Sequence, residues 1–485
     1  MMGMRNRIQT AIADIGAGTG RIVRGLFDGE RLVLEEVHRF ANGPVQLQGD
    51  RYWDIQKILE ETVDGLRKAA ASGVPASFSV DSWGADYCEF DASGKLLGLP
   101  RSYRDPRTKG IPEEIAGLIG EEEWREITGT HPLDHLTICQ LYASKALQPA
   151  RFAATSRILY IPDAIHYFLT GEEASDYTNN SATGAYDWKG RRFSDRILSR
   201  LSIDGSLFAP ERPPGTVLGA IVDDALKDTA LSRTKAVVTG GHDSGLVSIV
   251  MPAEKGICLL NCGTWGVLGY RDESPHPRSD AFVNFGAVAG GYYICKIFNA
   301  MWYLQECKKR WDMDGMGRTY PLLEEAARAS SYEGVFDVED PCFQDSHDMP
   351  KAIAEYMKRS KQPGPGSPGD FARAILRSIA LQCAAAVSDF KLEAGVSFQR
   401  CYFIGGANRN RLFCQTLADT AGMEIIIGPS EGTAYANGCV QLAALGELKM
   451  ADIPDFAGKE AIVSPGKPPP ASLMEKYLDL KNNGG

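Results

Sequence analysis

Ile12-Ala13-Asp14-Ile15-Gly16-Ala17-Gly18-Thr19-Gly20-Arg21-Ile22-Val23 reads as an apolar strand, a Gly/Thr turn and a second apolar strand. Far downstream the same grammar recurs as Cys258-Leu259-Leu260-Asn261-Cys262-Gly263-Thr264-Trp265-Gly266-Val267-Leu268-Gly269. Glycine permits positive φ and lets backbone N–H groups approach an anion closely. Threonine adds a hydroxyl donor. In the first copy Asp14 and Arg21 flank the turn, so an acid able to hold hydrated Mg²⁺ sits beside donors for phosphate oxygens. A nucleoside triphosphate needs that pairing. One Gly-rich hairpin is only a tight turn; two, one of them carrying Asp and Arg, favour phosphate. No G-x-x-x-x-G-K-[ST] loop occurs, and Gly16-x-Gly18-x-Gly20 leads into a strand rather than a helix, which disfavours a dinucleotide fold.

Around these hairpins, strands and helices alternate, as in α/β architecture. Residues 11–40 read as a strand–hairpin–strand unit with a further strand at Leu32–Val37. Ile55 to Ala71 has helical periodicity, with Ile55, Ile58, Leu59, Val63 and Leu66 near one face. Ser77–Asp81 returns as a strand that ends in Asp81-Ser82-Trp83-Gly84, delivering polar groups to a sheet's carboxyl edge, where open α/β sheets bind ligands. Segment 210–236, rich in Pro, Gly and Asp, reads as the approach to a hinge. The apolar strand Ala236-Val237-Val238 then leads into Thr239-Gly-Gly-His-Asp-Ser-Gly245. Residues 362–369 read as a loop or flexible insert, 370–395 as a helix, and Cys401–Ile404 as a strand ending in glycines. The tail after Ser464 reads as loosely packed. Each half thus repeats a hairpin, a helix and a strand ending in polar residues, so a duplicated unit holding a ligand in the cleft between copies is the economical explanation. The division is expected at 1–245 and 246–485.

With 485 residues the chain exceeds what one core supports. Its net charge of −10 argues against nucleic acid or an anionic membrane as main partner. Eleven scattered cysteines without CxxC spacing suit neither a disulfide framework nor a zinc site, and read as buried thiols in a reducing cytoplasm. Met1–Thr10 is basic without a signal-peptide apolar stretch, and no run approaches 18 uninterrupted apolar residues. A soluble cytoplasmic protein is expected.

Asp243, in a Gly-rich turn flanked by His242 and Ser244, is the candidate base: an alcohol attacking phosphorus must give up its proton, and a carboxylate can take it. By residue type alone it suits an Asx turn equally well. His131-x-x-x-His135 has zinc-like spacing, but Pro132 intervenes and no Glu follows His131, so two loop histidines are expected. No G-x-S-x-G elbow surrounds a candidate nucleophile. Pro100–Thr108 concentrates three arginines and an aspartate that could orient hydroxyls or form a solvated ion-pair surface. Trp83 and Trp302 suit either the walls of a sugar site or the core; Gln305 would project near Trp302 on a helix.

Taken in order, these pieces resemble the FGGY family of carbohydrate kinases, most of all its rhamnulokinases. The resemblance rests on Asp14–Arg21, His38–Gly43, Tyr52-Trp-Asp54, Asp81–Asp86, Gly98–Thr108, Gly241–Ser244, Cys262–Trp265 and Gly405–Asn410, which span nearly the whole chain. It implies duplicated RNase H-like domains of the actin-like ATPase fold with an interdomain active-site cleft, the first on the sugar side and the second on the nucleotide side. It also implies ATP-dependent phosphorylation of a ketose at a terminal hydroxyl, with Mg²⁺, in a monomer or homodimer; L-rhamnulose giving its 1-phosphate is the expected reaction. By the same resemblance Asp243 is the proton acceptor and Asp14 a metal holder. Ala17, Gly18, Thr19, Gly20 and Arg21 lie along the ATP phosphates, Thr264, Gln305 and Gly406 contact ATP, and Gly84, His242 and Ser244 contact sugar.

The chain departs from the rhamnulokinase pattern at Ile297, where that family places a sugar-contacting Asn after Lys. Asn299, two residues on, reads as lying on a different helical face. The departure bears on the sugar, since one hydrogen bond to a hydroxyl can decide selectivity by orders of magnitude. Fuculose, xylulose, ribulose and glycerol are the alternative acceptors. Outside catalysis, the alternatives are a sugar or nucleotide sensor on the same fold and a chaperone- or actin-like ATPase; the Trp-Gly and His-Asp-Ser elements argue against the last.

Overall fold

The computed structural model describes residues 8–276, 282–344 and 346–483. The chain forms two compact units. The first comprises 1–250, 271–294 and 433–456, the second 251–270, 295–432 and 457–485.

In the first unit β1 (Ile8–Ile15), β2 (Thr19–Phe27) and β3 (Leu32–Ala41) run consecutively antiparallel. The strand Ser77–Ser82 lies parallel to β1, Lys235–Val237 parallel to it in turn, and Val217–Ala220 antiparallel at the edge. Every residue of Ser77–Ser82 is buried, as befits a central parallel strand. Helix α1 (Ile55–Ala70) is capped by Asp54, whose side chain accepts from the Lys57 N–H, and buries Ile55, Ile58, Val63 and Leu66. It lies so close to the sheet that a Cβ on Gly65 would fall 2.0 Å from Ile22 Cγ1. A second apolar cluster gathers helices Ile111–Ile119, Thr137–Leu147 and Asp195–Leu201 around Trp124 and Ile138.

The second unit repeats the pairing pattern. Ile257–Cys262 and Trp265–Asp272 form an antiparallel hairpin, Arg400–Ile404 lies parallel to the first of these, Glu424–Ile427 parallel to that, and Ala461–Val463 antiparallel beyond. Its long helix, Pro368–Ala394, begins two residues earlier than expected, because Ser367 caps it and Pro368 suits the first turn. By length and hydropathy that helix could cross a bilayer. Here it is a core element, with 72% of its most apolar stretch buried, packed against Tyr320–Ala329 and Arg411–Ala421.

Three expectations are corrected. Segment 210–236 is not a hinge approach: it lies inside the first unit and supplies the edge strand Val217–Ala220. The tail is not loose. Residues 471–483 form a helix that places Leu473, Met474, Tyr477 and Leu480 on one stripe, and Tyr477 is fully buried, donating to Gln382 Oε1 at 2.9 Å. The segment around Ile297 is a strand, Tyr292–Asn299, not a helix, so Ile297 and Asn299 share a face. All eleven cysteines are free, and every one but Cys342 is buried.

Candidate active site

Strand register brings three ionisable side chains side by side. Asp14 on β1 is the antiparallel partner of Arg21 on β2 and the parallel partner of Asp81. Arg21 donates to Asp14 Oδ2 through Nε (3.0 Å) and Nη2 (2.6 Å). Asp243 follows the third parallel strand at the same carboxyl edge, since the Ser82 N–H donates to the Gly241 carbonyl at 2.8 Å. Asp243 opens the short helix Asp243–Leu246. Its Oδ1 accepts from the Ser244 N–H (2.6 Å) and hydroxyl (3.1 Å), while Oδ2 has no hydrogen-bond partner among the described residues. Burial, reinforced by the charge of Asp14, lifts the Asp243 carboxyl to about 6, near working pH, as a general base requires.

Asp81 is wholly buried, and its carboxyl is held well above the usual range by that burial and by the neighbouring Asp14. Oδ2 accepts from Asn437 Nδ2 at 2.7 Å; Oδ1 is buried without a partner. Gln441 Nε2 donates to Asn437 Oδ1 (2.7 Å) and the Ala11 carbonyl (3.0 Å), and Ser77 donates to Gln441 Oε1 (2.7 Å). A buried polar chain therefore runs along helix Gly432–Ala444 to Asp81. These residues were not among the expected site residues. Their signal was present: Asn437 and Gln441 stand four apart in an otherwise apolar helix, and a buried amide demands partners.

Gly84 and His242, both expected at the sugar, meet in the first unit. A Cβ on Gly84 would lie 3.0–3.1 Å from the His242 ring, so a larger residue would press on the imidazole. The ring stands edge-on to Phe285 at 4.6 Å, and burial pushes its pKa down to about 4, so it is a neutral imidazole, with Nδ1 unpartnered. Trp83 belongs to the core: it packs on Trp53 at 4.2 Å, and its Nε1 donates to Asp86. Asp86, which also accepts from Trp53, Gln140 and the Tyr103 N–H, anchors the loop carrying Gly84. In the Pro100–Thr108 cluster, Arg101 pairs with Asp50 and Asp105, and Arg107 donates to Gln140 at 2.9 Å, so these charges build structure. His131 and His135 both lie in loop, and no group of three metal-ligating side chains is assembled among the described residues.

The hairpin glycines work by absence of bulk rather than by positive φ, which none of Gly16, Gly18, Gly20, Gly263 and Gly266 adopts. A Cβ on Gly20 would lie 2.1 Å from Phe40 Cζ, whereas one on Gly18 would meet nothing within 4 Å. Ala17, Gly18 and Thr19 form an open tip, tied at its base by the Gly16 N–H to Thr19 carbonyl bond of 2.9 Å. The second unit mirrors this: Gly266 is roofed by Phe298 (2.5 Å to a built Cβ), Gly263 is open, and the Gly263 N–H donates to the Trp265 carbonyl. Thr264 donates to Gln305 Oε1 at 3.1 Å. Gly405, at φ +88, lets the Gly406 turn pack on Cys262, where a Cβ would lie 2.6 Å from the carbonyl oxygen. Thr264, Gln305 and Gly406 thus belong to the second unit, and Asp14, residues 17–21, Gly84 and 242–244 to the first.

The N-terminal domain of the FGGY family of carbohydrate kinases matches residues 11–249 and its C-terminal domain residues 258–446. A rhamnulokinase of Bacteroides thetaiotaomicron is 30% identical over 458 residues, covering 93% of each chain. Among solved structures, a gluconate kinase from Lactobacillus acidophilus superposes with a TM-score of 0.78 at 17% identity, covering 99% of this chain and 98% of that one. A ligand-bound xylulose kinase from the same organism reaches 0.76 at 17%, covering 98% of each. These structural likenesses establish the two-domain α/β fold.

Proposed function

The chain belongs to the FGGY family of carbohydrate kinases and is an ATP-dependent sugar kinase, and we propose that it moves the γ-phosphoryl group of ATP to a terminal ketose hydroxyl, L-rhamnulose giving L-rhamnulose 1-phosphate. The observation that carries the chemistry is Asp243: a carboxylate raised to about 6, with one oxygen held by Ser244 and the other free of partners. That free oxygen accepts the hydroxyl proton as the sugar oxygen attacks phosphorus. Gly84 gives the sugar room at the His242 ring; the neutral imidazole and the Ser244 hydroxyl orient its hydroxyls. Ala17 to Arg21 and, in the second unit, Thr264, Gln305 and Gly406 are assigned to ATP.

Mg²⁺ fits the residues present. It keeps most of its waters and takes one or two carboxylates besides phosphate oxygens; Asp14 and the unpartnered buried Oδ1 of Asp81 offer that much. When bound, the ion would neutralise charge on the transferring phosphoryl group. Arg21, fixed to Asp14, keeps that carboxylate oriented. The sugar assignment leans on the rhamnulokinase at 30% identity. Ile297, 37% exposed where the rhamnulokinase pattern has an amide, favours a second reading in which another ketose or polyol is the acceptor. We assign the work to the cytoplasm, with 1–245 as sugar-side and 246–485 as nucleotide-side domain.

A coupled ADP-release assay over L-rhamnulose, L-fuculose, xylulose, ribulose and glycerol tests class and substrate together. L-rhamnulose should give the highest kcat/KM. A different best sugar overturns the substrate, and silence on every sugar with ATP still bound overturns catalysis in favour of a sensor.

A further inference from the structure

The turn that presents Asp243 is clamped from below by a carboxylate outside the reacting groups. Asp176 is fully buried, and no cationic side chain pairs with it among the described residues. A buried acid without a cation is costly unless hydrogen-bonded. Asp176 Oδ2 accepts from the Gly241 N–H at 2.7 Å, and Oδ1 accepts from the Thr178 N–H at 2.7 Å and from the Thr178 hydroxyl. The Thr178 oxygen, its proton given to Asp176, accepts from the His242 N–H at 3.0 Å. Two consecutive N–H groups, those immediately before Asp243, are therefore fixed by one Asp–Thr pair. The same contact is sterically tight. A Cβ on Gly241 would fall 2.6 Å from Asn179 Nδ2 and 2.9 Å from Asp176 Oδ2, and one on Gly245 would fall 2.8 Å from Thr178 Cβ. From the other side, the Gly241 carbonyl accepts from Ser82, which neighbours Asp81.

We propose that Asp176, acting through Thr178, is a positioning residue for phosphoryl transfer: it sets the height and direction of the Gly241–Asp243 turn so that the base meets the sugar hydroxyl. The proposal rests on Asp243 being the proton acceptor. Asparagine cannot replace Asp176, because its NH₂ would face an N–H donor. Displacement of a reacting group by an ångström costs on the order of 100-fold in rate without touching remote binding.

The test compares Asp176→Asn, Thr178→Val, Thr178→Ser and Asp243→Asn for kcat, KM for ATP and thermal midpoint. Asp176→Asn and Thr178→Val should each lower kcat on the order of 100-fold with KM for ATP within about twofold. Thr178→Ser, which restores the oxygen, should keep kcat within about threefold. The double variant Asp176→Asn/Asp243→Asn should be no slower than Asp243→Asn alone, since both act on one group. If Asp243→Asn is inactive while Thr178→Val keeps wild-type kcat, the clamp is overturned. A loss in Thr178→Ser equal to that in Thr178→Val also overturns it, because bulk and not the oxygen would then matter. Turnover by Asp243→Asn removes the premise itself, a result distinct from either. Should Asp176→Asn fail to fold, the two Thr178 variants decide.

Discussion

Replacing Asp243 by Asn keeps the side chain's shape and an acceptor for Ser244 while removing the proton acceptor. A positioned general base contributes about 10²–10⁴ in rate, so kcat should fall at least about 100-fold with ATP affinity unchanged. The wild type should show an acid limb of its own. With the carboxyl at about 6, about nine-tenths of the enzyme carries the ionised base at pH 7 and about one-tenth at pH 5, so kcat drops about tenfold between them. Stability has the opposite sense. The folded value lies above the ordinary 3.8, so ionising Asp243 is harder in the folded chain; its contribution favours folding at low pH and is lost as pH rises through about 6. Two units would be worth about 3 kcal/mol for a fully enclosed group; with 38% of the side chain exposed, about 1 kcal/mol is the reasonable figure. Asn escapes this cost, so the variant should exceed wild type by about 1 kcal/mol in urea denaturation at pH 8, the difference vanishing towards pH 4. A wild-type kcat flat from pH 7 to 5, or a stability difference equal at both pH values, would refute the assigned role.

Asn437→Leu should strip Asp81 Oδ2 of its partner and Gln441 of one of its three, and cost about 1–3 kcal/mol in urea denaturation; it should also raise several-fold the Mg²⁺ needed for ATP binding, measured by calorimetry. Unchanged stability would show that the buried chain is relaxed elsewhere. The glycines of the first hairpin should separate by role. Gly20→Ala, driven against Phe40, should lose about 1–3 kcal/mol and recover with Phe40→Leu. Gly18→Val, facing open space, should leave the thermal midpoint unchanged and raise KM for ATP; an unchanged KM would take the tip away from the phosphates.

What the sequence disclosed was what local patterning controls. Alternating apolar strands around Gly/Thr turns located both hairpins, the apolar face of Ile55–Leu66 located α1, and an acid in a glycine turn located Asp243. Hidden were features set by long-range pairing. Asp81 was visible as a polar strand end, yet its place between Asp14 and the Asp243 turn depends on parallel register, which no local window contains. Asn437 comes from far along the chain, and only folding carries it into the first unit. The misjudged pieces share one cause. Prolines and polar residues masked the stripe of Leu473, Met474, Tyr477 and Leu480, and the short segment before Trp302 gave no period with which to separate strand from helix.

Register also shows how the two hairpins differ in charge. Aligning the hairpins by their pairs sets Ile15↔Gly20 against Cys262↔Gly266, and therefore Asp14↔Arg21 against Asn261↔Val267. One strand over, Asp81 beside Asp14 corresponds to Ile404 beside Asn261. Every ionisable side chain of the first set has a neutral counterpart in the second, while the roofing phenylalanines, Phe40 and Phe298, and the glycine that opens each turn, Gly16 and Gly263, are kept in both. The retained features make a backbone that an anion can approach. The divergent ones decide what else is present: acids able to hold a cation and take a proton in the first unit, uncharged hydroxyl and amide donors in the second. Carboxylates at both hairpins would repel a triphosphate that carries several negative charges. Confining them to one copy leaves the other hairpin with neutral hydrogen-bonding groups, the Thr264 hydroxyl and the Gln305 amide.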